Sequence, residues 1–307
     1  MLGDRILSVS AAAAEPFMAG PLPVECIPNG IDLDDWKARG AGVAGAALRT
    51  ELGLAHDTPI VANVARVSSE KDQVTFVEAC AAIRAHRPDV HYAIIGETRT
   101  DAKAVREVRA AIATHQLGNR LHLLGERHDL PALYPQFDVM LLTSRHEGFA
   151  NVLMEAMASG VPVVSTMSGG PQSIIRDQVD GLLVPVGDAA ALADAAMLCL
   201  SEQETVQRMT DSALRRVKEE FDWPVIVRRI TDFYRRTIAE RHQVRGGHEH
   251  GLMVLLEIIA EAAQRDAARA KILERLCCGP SKGRMHRLGA AAMGALRRTV
   301  KLGKGLN

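Results

Sequence analysis

Two glutamates, Glu147 and Glu155, have seven residues between them and lie on either side of a glycine turn at Gly148. The apolar run Val139–Leu142 before the turn has the pattern of a buried strand, and the residues from Asn151 onward have the pattern of a helix. The first amides of such a helix have no partner within it, and the helix dipole adds positive charge there. The pattern therefore predicts an anion site with two carboxylates beside it.

A second group of charges, Arg66 and Lys71, follows the strand pattern that runs from Ile60 to Ala65. Two cations at the carboxyl end of a strand can clamp a diphosphate, because arginine offers paired hydrogen bonds and lysine a compact charge. The alternative interpretation, for either residue considered alone, is a solvent-exposed charge in a loop without a binding role.

Strand and helix patterns alternate along most of the chain. The predicted strands are 24–28, 60–65, 91–95, 120–124, 138–143, 161–165 and 182–185. The predicted helices are 73–86, 100–116, 130–134, 151–159, 172–177, 189–200 and 204–220, and another begins at Pro224. This alternation predicts an α/β fold with a doubly wound parallel sheet, whose ligands bind at the carboxyl ends of the strands.

Longer segments around the charged residues resemble one enzyme family. These segments are IPNGID from Ile27, VARVSSEKDQ around Arg66 and Lys71, LLGERHDLPALYPQFDVMLLTS ending at Ser144, EGFANVLMEAMASGVPVVST from Glu147, and SGGPQSIIRDQVDGLLVPVGD from Ser168. The order and the sequences of these segments are similar to those of the retaining glycosyltransferases of the GT-B fold (glycosyl transferases group 1), which carry the E-x7-E motif. The resemblance covers roughly residues 4 to 240. Two residues differ from the usual family sequence. Ala65 stands where glycine is usual, and Gln172, directly after the Gly-Gly-Pro sequence, stands where glutamate is usual.

The resemblance implies roles for individual residues. Glu147, Arg66 and Lys71 are assigned to catalysis. The residues assigned to donor binding are Arg66, Lys71, Glu126, Arg127, Glu147, Gly148, Phe149, Ala150, Asn151, Val152 and Glu155. Within this set, Glu147 contacts the sugar, Glu155 accepts hydrogen bonds from the ribose hydroxyls, and the loop containing Glu126 and Arg127 seats the edge of the nucleobase.

The resemblance also implies the reaction. A sugar passes from a nucleotide sugar, with UDP preferred, to a glycan, lipid or small-molecule acceptor, and its anomeric configuration is kept. A phosphate oxygen of the leaving group takes the acceptor proton, so the protein supplies positioning and charge stabilisation. No cofactor and no metal ion are expected, because the nucleotide sugar is itself the substrate.

The domain organisation follows from the same comparison, since a GT-B enzyme has two Rossmann-like lobes and the acceptor lobe comes first. We expect a remnant of that lobe at 1–22, a donor-binding domain at 23–222, a helix at 223–241 that crosses back to the first lobe, and a linker and tail at 242–307. The acceptor lobe is thus expected to be largely missing. The alternative function is a non-catalytic nucleotide-sugar-binding module or truncated remnant, while no motif supports a sugar-nucleotide epimerase.

The formal charge of zero conceals a basic tail, because residues from Arg241 onward hold 13 Lys or Arg against 5 Asp or Glu. Residues 284–301 have the pattern of a basic amphipathic helix, which predicts peripheral contact with an anionic membrane. The alternative is that this tail helix packs on the domain or on a second subunit. The second case would be self-association of the chain. A cytoplasmic location at the inner face of a membrane fits this pattern, and no nucleic-acid partner is expected.

Other features predict no further chemistry. The five cysteines are odd in number and lack paired spacing, which argues against a disulfide framework or a zinc site. Asp32-Leu-Asp34 matches the D-x-D motif with which another glycosyltransferase fold binds manganese. It overlaps the IPNGID segment and precedes the predicted sheet, so a metal site is not predicted here. No apolar run approaches the ~18 residues of a membrane span.

Overall fold

The computed structural model describes residues 5–42 and 48–245. The strands are β1 (Ile6–Ser8), β2 (Val24–Cys26), β3 (Ile60–Val64), β4 (His91–Ile95), β5 (Leu121–Gly125), β6 (Val139–Leu142), β7 (Val163–Thr166) and β8 (Leu182–Val184). The helices are α1 (Ala11–Met18), α2 (Leu33–Gly42), α3 (Leu48–Glu51), α4 (Gln73–His86), α5 (Ala102–Thr114), α6 (Leu130–Leu133), α7 (Asn151–Ala158), α8 (Pro171–Ile174), α9 (Ala189–Ser201), α10 (Gln203–Arg216) and α11 (Trp223–Arg245). A 3-10 turn, Tyr134–Gln136, follows α6, and a π-helical turn, Val217–Phe221, follows α10.

Six strands form one parallel sheet in the order β5-β4-β3-β6-β7-β8. β4 and then β5 follow β3 on one side of the sheet, and β7 and then β8 follow β6 on the other side. β3 and β6 are direct neighbours, with Val61 opposite Val139 and Ala62 opposite Met140. The strand order therefore reverses between them, and in open α/β sheets the crevice at the carboxyl ends beside such a reversal is where ligands bind.

The sheet is covered on both faces, as the apolar strand patterns require. All five residues of β3 are buried. Ile60, Ala62 and Val64 belong to the core on the face covered by α7, whereas Val61 belongs to the core on the face covered by α4, α5 and α9. This arrangement confirms the predicted α/β fold with a parallel, doubly wound sheet.

A short parallel unit, β1-α1-β2, precedes the large sheet, with Ile6 opposite Val24. Ser10 caps α1, because its hydroxyl accepts a hydrogen bond from the Ala13 amide at 3.0 Å. A strand and a helix thus open the described part of the chain.

The sequence pattern predicts no helix between Asp32 and Thr58, yet α2 and α3 lie there. Asp32 caps α2 by accepting a hydrogen bond from the Asp35 amide at 3.0 Å. Leu33 and Leu48 are buried in the core, but their helices carry too few apolar residues to show a clear helical period. The Asp32 carboxylate therefore has a structural role at a helix start.

The chain divides into two compact units, Met1–Ile226 and Val227–Asn307. Helix α11 begins at Trp223 with Pro224 in its first turn, where proline is favoured. The crossing role of 223–241 stays a prediction, and the amphipathic segment 284–301 lies outside the described residues. None of the described helices combines the length and the apolar character needed to span a membrane.

Candidate functional site

The loops after β3 and β6 bring Lys71 and Glu147 together at the strand reversal. The Lys71 ammonium forms an ion pair with Glu147 Oε1. The Ser144 hydroxyl donates to the same carboxylate oxygen at 2.7 Å. The Glu147 side chain is only 8% exposed and that of Lys71 20%, so the pair is shielded from water on most sides. These two predicted site residues thus share one charged centre.

Further hydrogen bonds tie the two loops to each other. The Thr143 hydroxyl donates to the Lys71 carbonyl at 2.8 Å, and the Arg145 amide donates to the Glu70 carbonyl at 2.8 Å. The Arg145 guanidinium lies 3.0 Å from the carboxylate of Asp72, a buried residue in the left-handed backbone region with φ of 49°. The backbone around Lys71 is therefore fixed by β6 and its loop.

Glu147 is also held through its backbone by a glycine loop after β7. The Glu147 amide donates to the Ser168 carbonyl at 2.9 Å, and the Gly170 amide donates to the Glu147 carbonyl at 2.7 Å. Gly169 has φ of +106°, and a Cβ there would lie 3.0 Å from the Glu147 carbonyl oxygen and 2.9 Å from the Ala12 methyl. Only glycine fits at this close approach.

The start of α7 leaves its first amides available. The N-cap residue, Ala150, is buried and offers no side-chain cap. Asn151 is exposed, Val152 is half-buried, and the Asn29 side chain donates to Asn151 Oδ1 at 3.0 Å. An uncapped helix start can bind an anion through its amides.

The turn between Glu147 and α7 packs against the first helix of the chain. The Ser10 hydroxyl donates to the Gly148 carbonyl, and Phe149 is half-buried against Phe221 with ring centroids 6.4 Å apart. A cavity of about 840 Å³ opens here. Its lining includes Ala12, Glu15, Glu70, Arg145, His146, Glu147, Gly148, Met167, Ser168, Gly169, Gln172 and Val186.

Arg66 lies at the edge of this centre rather than within the Lys71–Glu147 pair. Its side chain is 57% exposed, and its guanidinium is 3.7 Å from the Glu70 carboxylate. Such a surface pair is weak, so the guanidinium can turn toward a ligand at little cost. The preceding residue, Ala65, packs so closely on Gly96 that a Cβ at Gly96 would overlap the Ala65 carbonyl oxygen.

Glu155 lies in the second turn of α7, where it is half-buried. The Tyr134 hydroxyl donates to its Oε2 atom at 3.0 Å. Burial raises the pKa of Glu155, while the Tyr134 hydrogen bond and the charge of Arg39 act in the opposite direction. Sequence reasoning missed Tyr134, because the two residues belong to different elements and no spacing rule connects them.

The loop after β5 holds Glu126 and Arg127 in ion pairs. Glu126 lies 3.3 Å from the Arg99 guanidinium. Arg127 binds both carboxylate oxygens of Asp129, at 2.9 and 2.7 Å, and also contacts Glu51 at 2.8 Å. The Asp129 and Glu51 hydrogen bonds raise the pKa of Arg127. This geometry gives Arg127 a structural role, and a contact with a nucleobase stays a prediction.

Comparison with known proteins identifies the family of this chain. The sequence profile described as "Glycosyl transferases group 1" matches residues 46–216, which is more than half of the chain and contains Arg66, Lys71, Glu147 and Glu155. The chain belongs to this family.

Curated glycosyltransferases match over most of this group 1 chain. The D-inositol 3-phosphate glycosyltransferase of Xylanimonas cellulosilytica is 31% identical over 225 residues, which are 71% of this chain and 52% of that protein. The lipopolysaccharide core biosynthesis glycosyltransferase LpsE of Rhizobium meliloti is 29% identical, covering 66% of this chain and 56% of that protein. The chain therefore spans about half the length of these relatives.

Solved structures of similar fold include HepE of Anabaena in complex with UDP-glucose. It is 25% identical and superposes with a TM-score of 0.68 over 76% of this chain and 64% of that chain. Sucrose-phosphate synthase from Thermosynechococcus elongatus is 27% identical, with a TM-score of 0.65 over 78% of this chain and 59% of that chain.

Among the described residues of this group 1 chain, no cluster of three or more His, Cys, Asp or Glu side chains could hold a metal ion. The three cysteines that the structure describes, Cys26, Cys80 and Cys199, are free thiols. Ser144 and Asn29 are further site residues that sequence reasoning did not single out. Ser144 could have been found, since it lies three positions before Glu147 in the same loop.

Proposed function

We propose that this chain is the donor-binding part of a retaining, metal-independent glycosyltransferase, and that it holds a nucleotide sugar where the strand order reverses. The observation that carries the proposal is the shielded Lys71–Glu147 pair beside the uncapped start of α7. A cation and helix amides suit a diphosphate, and a carboxylate in the same place suits sugar hydroxyls.

In the proposed reaction, the ion pair exchanges its partners when the donor binds. Lys71 turns to the diphosphate together with Arg66, and Glu147 accepts hydrogen bonds from the sugar. As the bond between the anomeric carbon and the diphosphate breaks, negative charge grows on the leaving phosphate. Lys71, Arg66 and the α7 amides stabilise that charge. An oxygen of the leaving phosphate takes the proton of the acceptor hydroxyl, and the sugar keeps its configuration.

We assign the donor to the UDP-sugars and the acceptor to a glycan, a lipid or a small molecule. The preference for uridine is supported by the similarity to HepE, whose complexes contain UDP or UDP-glucose. An acceptor in an envelope glycan is supported by the similarity to LpsE, which is named for lipopolysaccharide core biosynthesis.

Calorimetric titration with UDP, GDP and ADP tests the donor site. We expect UDP to bind, and we expect Lys71→Ala to weaken binding by about 1.5–3 kcal/mol, which is roughly ten- to a hundredfold. Lys103→Ala is the matched control, because Lys103 is 78% exposed on α5 and pairs there with Glu107. Folded protein that binds none of the three nucleotides would refute the proposed function.

Transfer itself is tested by incubating the chain with radiolabelled UDP-sugars and a membrane-lipid acceptor extract, alone and fused to the acceptor lobe of a relative. Transfer that requires Glu147 supports the enzyme. Nucleotide binding without transfer in either form would instead support a non-catalytic nucleotide-sugar-binding module.

We also propose that residues 284–301 contact an anionic membrane from the cytoplasmic side. The support is the sequence pattern alone, in which apolar residues share one helical face and basic residues the other. The apolar set is Met285, Leu288, Ala292, Met293, Leu296 and Val300, and the basic set is Arg287, Arg297, Arg298 and Lys301. Co-sedimentation with anionic liposomes should fall when residues 279–307 are removed, and unchanged sedimentation would exclude this contact.

A further inference from the structure

The Tyr134 hydroxyl is a buried donor aimed at the second glutamate of the motif. Tyr134 is fully buried in the 3-10 turn after α6. Its oxygen lies 3.0 Å from Glu155 Oε2 and 3.3 Å from the Val152 carbonyl. A hydroxyl has one proton to donate, and the charged oxygen is the stronger and closer acceptor. The hydrogen bond to Glu155 is therefore the dominant one.

The tyrosine ring has little freedom to move. The Trp36 ring lies 5.8 Å from it on one side, and the Phe137 ring lies 5.7 Å from it in an edge-on arrangement. Trp36 also donates from its indole nitrogen to the Ser159 hydroxyl at 3.0 Å, and that hydroxyl donates to the Glu155 carbonyl at 2.8 Å. The aromatic residues thus fix both the donor and the helix that carries its acceptor.

The Glu155 carboxylate keeps one oxygen for a ligand. Within the described residues, Oε2 accepts from Tyr134, and Oε1 has no hydrogen-bond partner. Burial raises the pKa of Glu155, and the Tyr134 hydrogen bond and the charge of Arg39 on α2 act against that shift. Helical side chains lean toward the helix N-terminus. Glu155 therefore reaches back toward the end of α7 that lies at the proposed donor site.

We propose that Tyr134 is a positioning residue, which holds the Glu155 carboxylate ionised and oriented so that its other oxygen accepts hydrogen bonds from the ribose hydroxyls of the donor. This inference rests on the proposed function. It assigns the hydroxyl of Tyr134 to nucleoside recognition, beyond a role in packing. A Glu155 that were neutral and merely packed against Tyr134 would not discriminate between a nucleotide and a diphosphate without ribose.

The test compares UDP with methyl diphosphate, which lacks ribose, in titrations of the full chain at pH 8 and pH 6. Tyr134→Phe removes the hydrogen bond that lowers the pKa of Glu155, so more of the carboxylate is protonated at the lower pH. We expect UDP affinity to fall about tenfold at pH 6 and only about threefold at pH 8, on the scale of one hydrogen bond to a charged group. Affinity for methyl diphosphate should match the wild type at both values.

Tyr92→Phe is the matched control. Tyr92 is also fully buried, but it lies in β4, and its hydroxyl has no hydrogen-bond partner among the described residues. This variant should leave both affinities unchanged. The Tyr134→Phe effect should also vanish in a Glu155→Gln background, because the two groups act as one unit.

If Tyr134→Phe does not fold, Phe137→Leu provides the second variant, since it loosens the ring and keeps the hydroxyl. It should weaken UDP binding in the same direction and more at pH 6. The positioning role is overturned if the wild type binds UDP and whichever of these variants folds keeps that affinity at each pH. A wild type that binds neither UDP nor methyl diphosphate overturns the proposed function together with this inference.

Discussion

At the scale of single residues, the site is already neutralised before any ligand arrives. Lys71 and Glu147 satisfy each other, and Ser144 supplies a further donor to the same carboxylate oxygen. A buried or half-buried charge without a partner is costly, so the pairing explains how both charges are kept in one cleft. It also means that a ligand must compete with Glu147 for the lysine.

A substitution at Glu147 should therefore separate nucleotide binding from sugar transfer. In Glu147→Gln, Lys71 no longer has a competing carboxylate, and a negative charge next to the proposed diphosphate is removed. We expect UDP to bind about two- to tenfold more tightly, on the scale of ~0.4–1.4 kcal/mol, whereas transfer of sugar is lost. Calorimetry and a transfer assay measure the two effects, and Glu107→Gln on α5 is the control. Weaker UDP binding in Glu147→Gln would show that the competition does not exist.

At the scale of elements, the sequence is informative where apolar periodicity is strong. Helix α4 and strand β4 have the predicted bounds, since α4 buries one apolar face and β4 is buried at every position. α2 and α3 could not be predicted, because the pairing that holds α3 involves Arg49 and Asp138, which are 89 positions apart. The same holds for the site. Lys71 and Glu147 were predicted from motifs, but Tyr134 reaches Glu155 only through the packing of the turn after α6 on α7.

The close contact between the ends of β3 and β4 gives a prediction at this scale. Gly96→Ala would place a methyl group into the Ala65 carbonyl and near the Arg66 amide, so the loop that leads to Lys71 must shift. We expect a loss of about 1–3 kcal/mol in unfolding free energy and weaker UDP binding, as for other overpacked sites. Gly118→Ala is the control, because a Cβ there meets nothing within 4 Å. Denaturant unfolding of both variants measures the difference, and equal stability would contradict the predicted clash.

At the scale of the whole molecule, a pair of stacked histidines lies near the amino ends of β4 and β5, whereas the candidate site lies at the carboxyl ends of the strands. His91 Nδ1 and His122 Nε2 are 3.0 Å apart, and the rings stack at a centroid distance of 5.4 Å. The Arg120 guanidinium donates to His91 Nε2 at 2.8 Å, so the proton of His91 must be on Nδ1, which donates to His122. Burial first, and then the charge of Arg120, lowers the pKa of His91 to about 4, and burial lowers that of His122.

This pair should make the fold sensitive to acid. The unfolded chain binds a proton at His91 near the ordinary pKa of 6.5, whereas the folded chain does so only near pH 4. Between these pH values the unfolded state binds more protons than the folded state. The stability that the neutral, buried His91 contributes is therefore fully present above pH 6.5 and is lost as the pH falls toward 4. We expect a loss of about 2–3 kcal/mol from His91 in this window. Unfolding free energies at pH 7 and 4.5 should therefore differ less in His91→Gln than in the wild type, and equal differences would contradict the assignment.

The reversal of strand order also has a consequence for the order of folding. β3 to β5 and β6 to β8 are each built from contacts between successive strands, whereas the β3–β6 pair joins Val61 to Val139 across a long stretch of chain. Contacts of that separation form late, because loop closure must come first. Lys71 and Glu147 are 76 positions apart and lie on opposite sides of this seam. No intermediate in which only one half-sheet has formed can hold a complete site, so a nucleotide that bridges the two residues would act as a reporter of the finished sheet and would stabilise only that state.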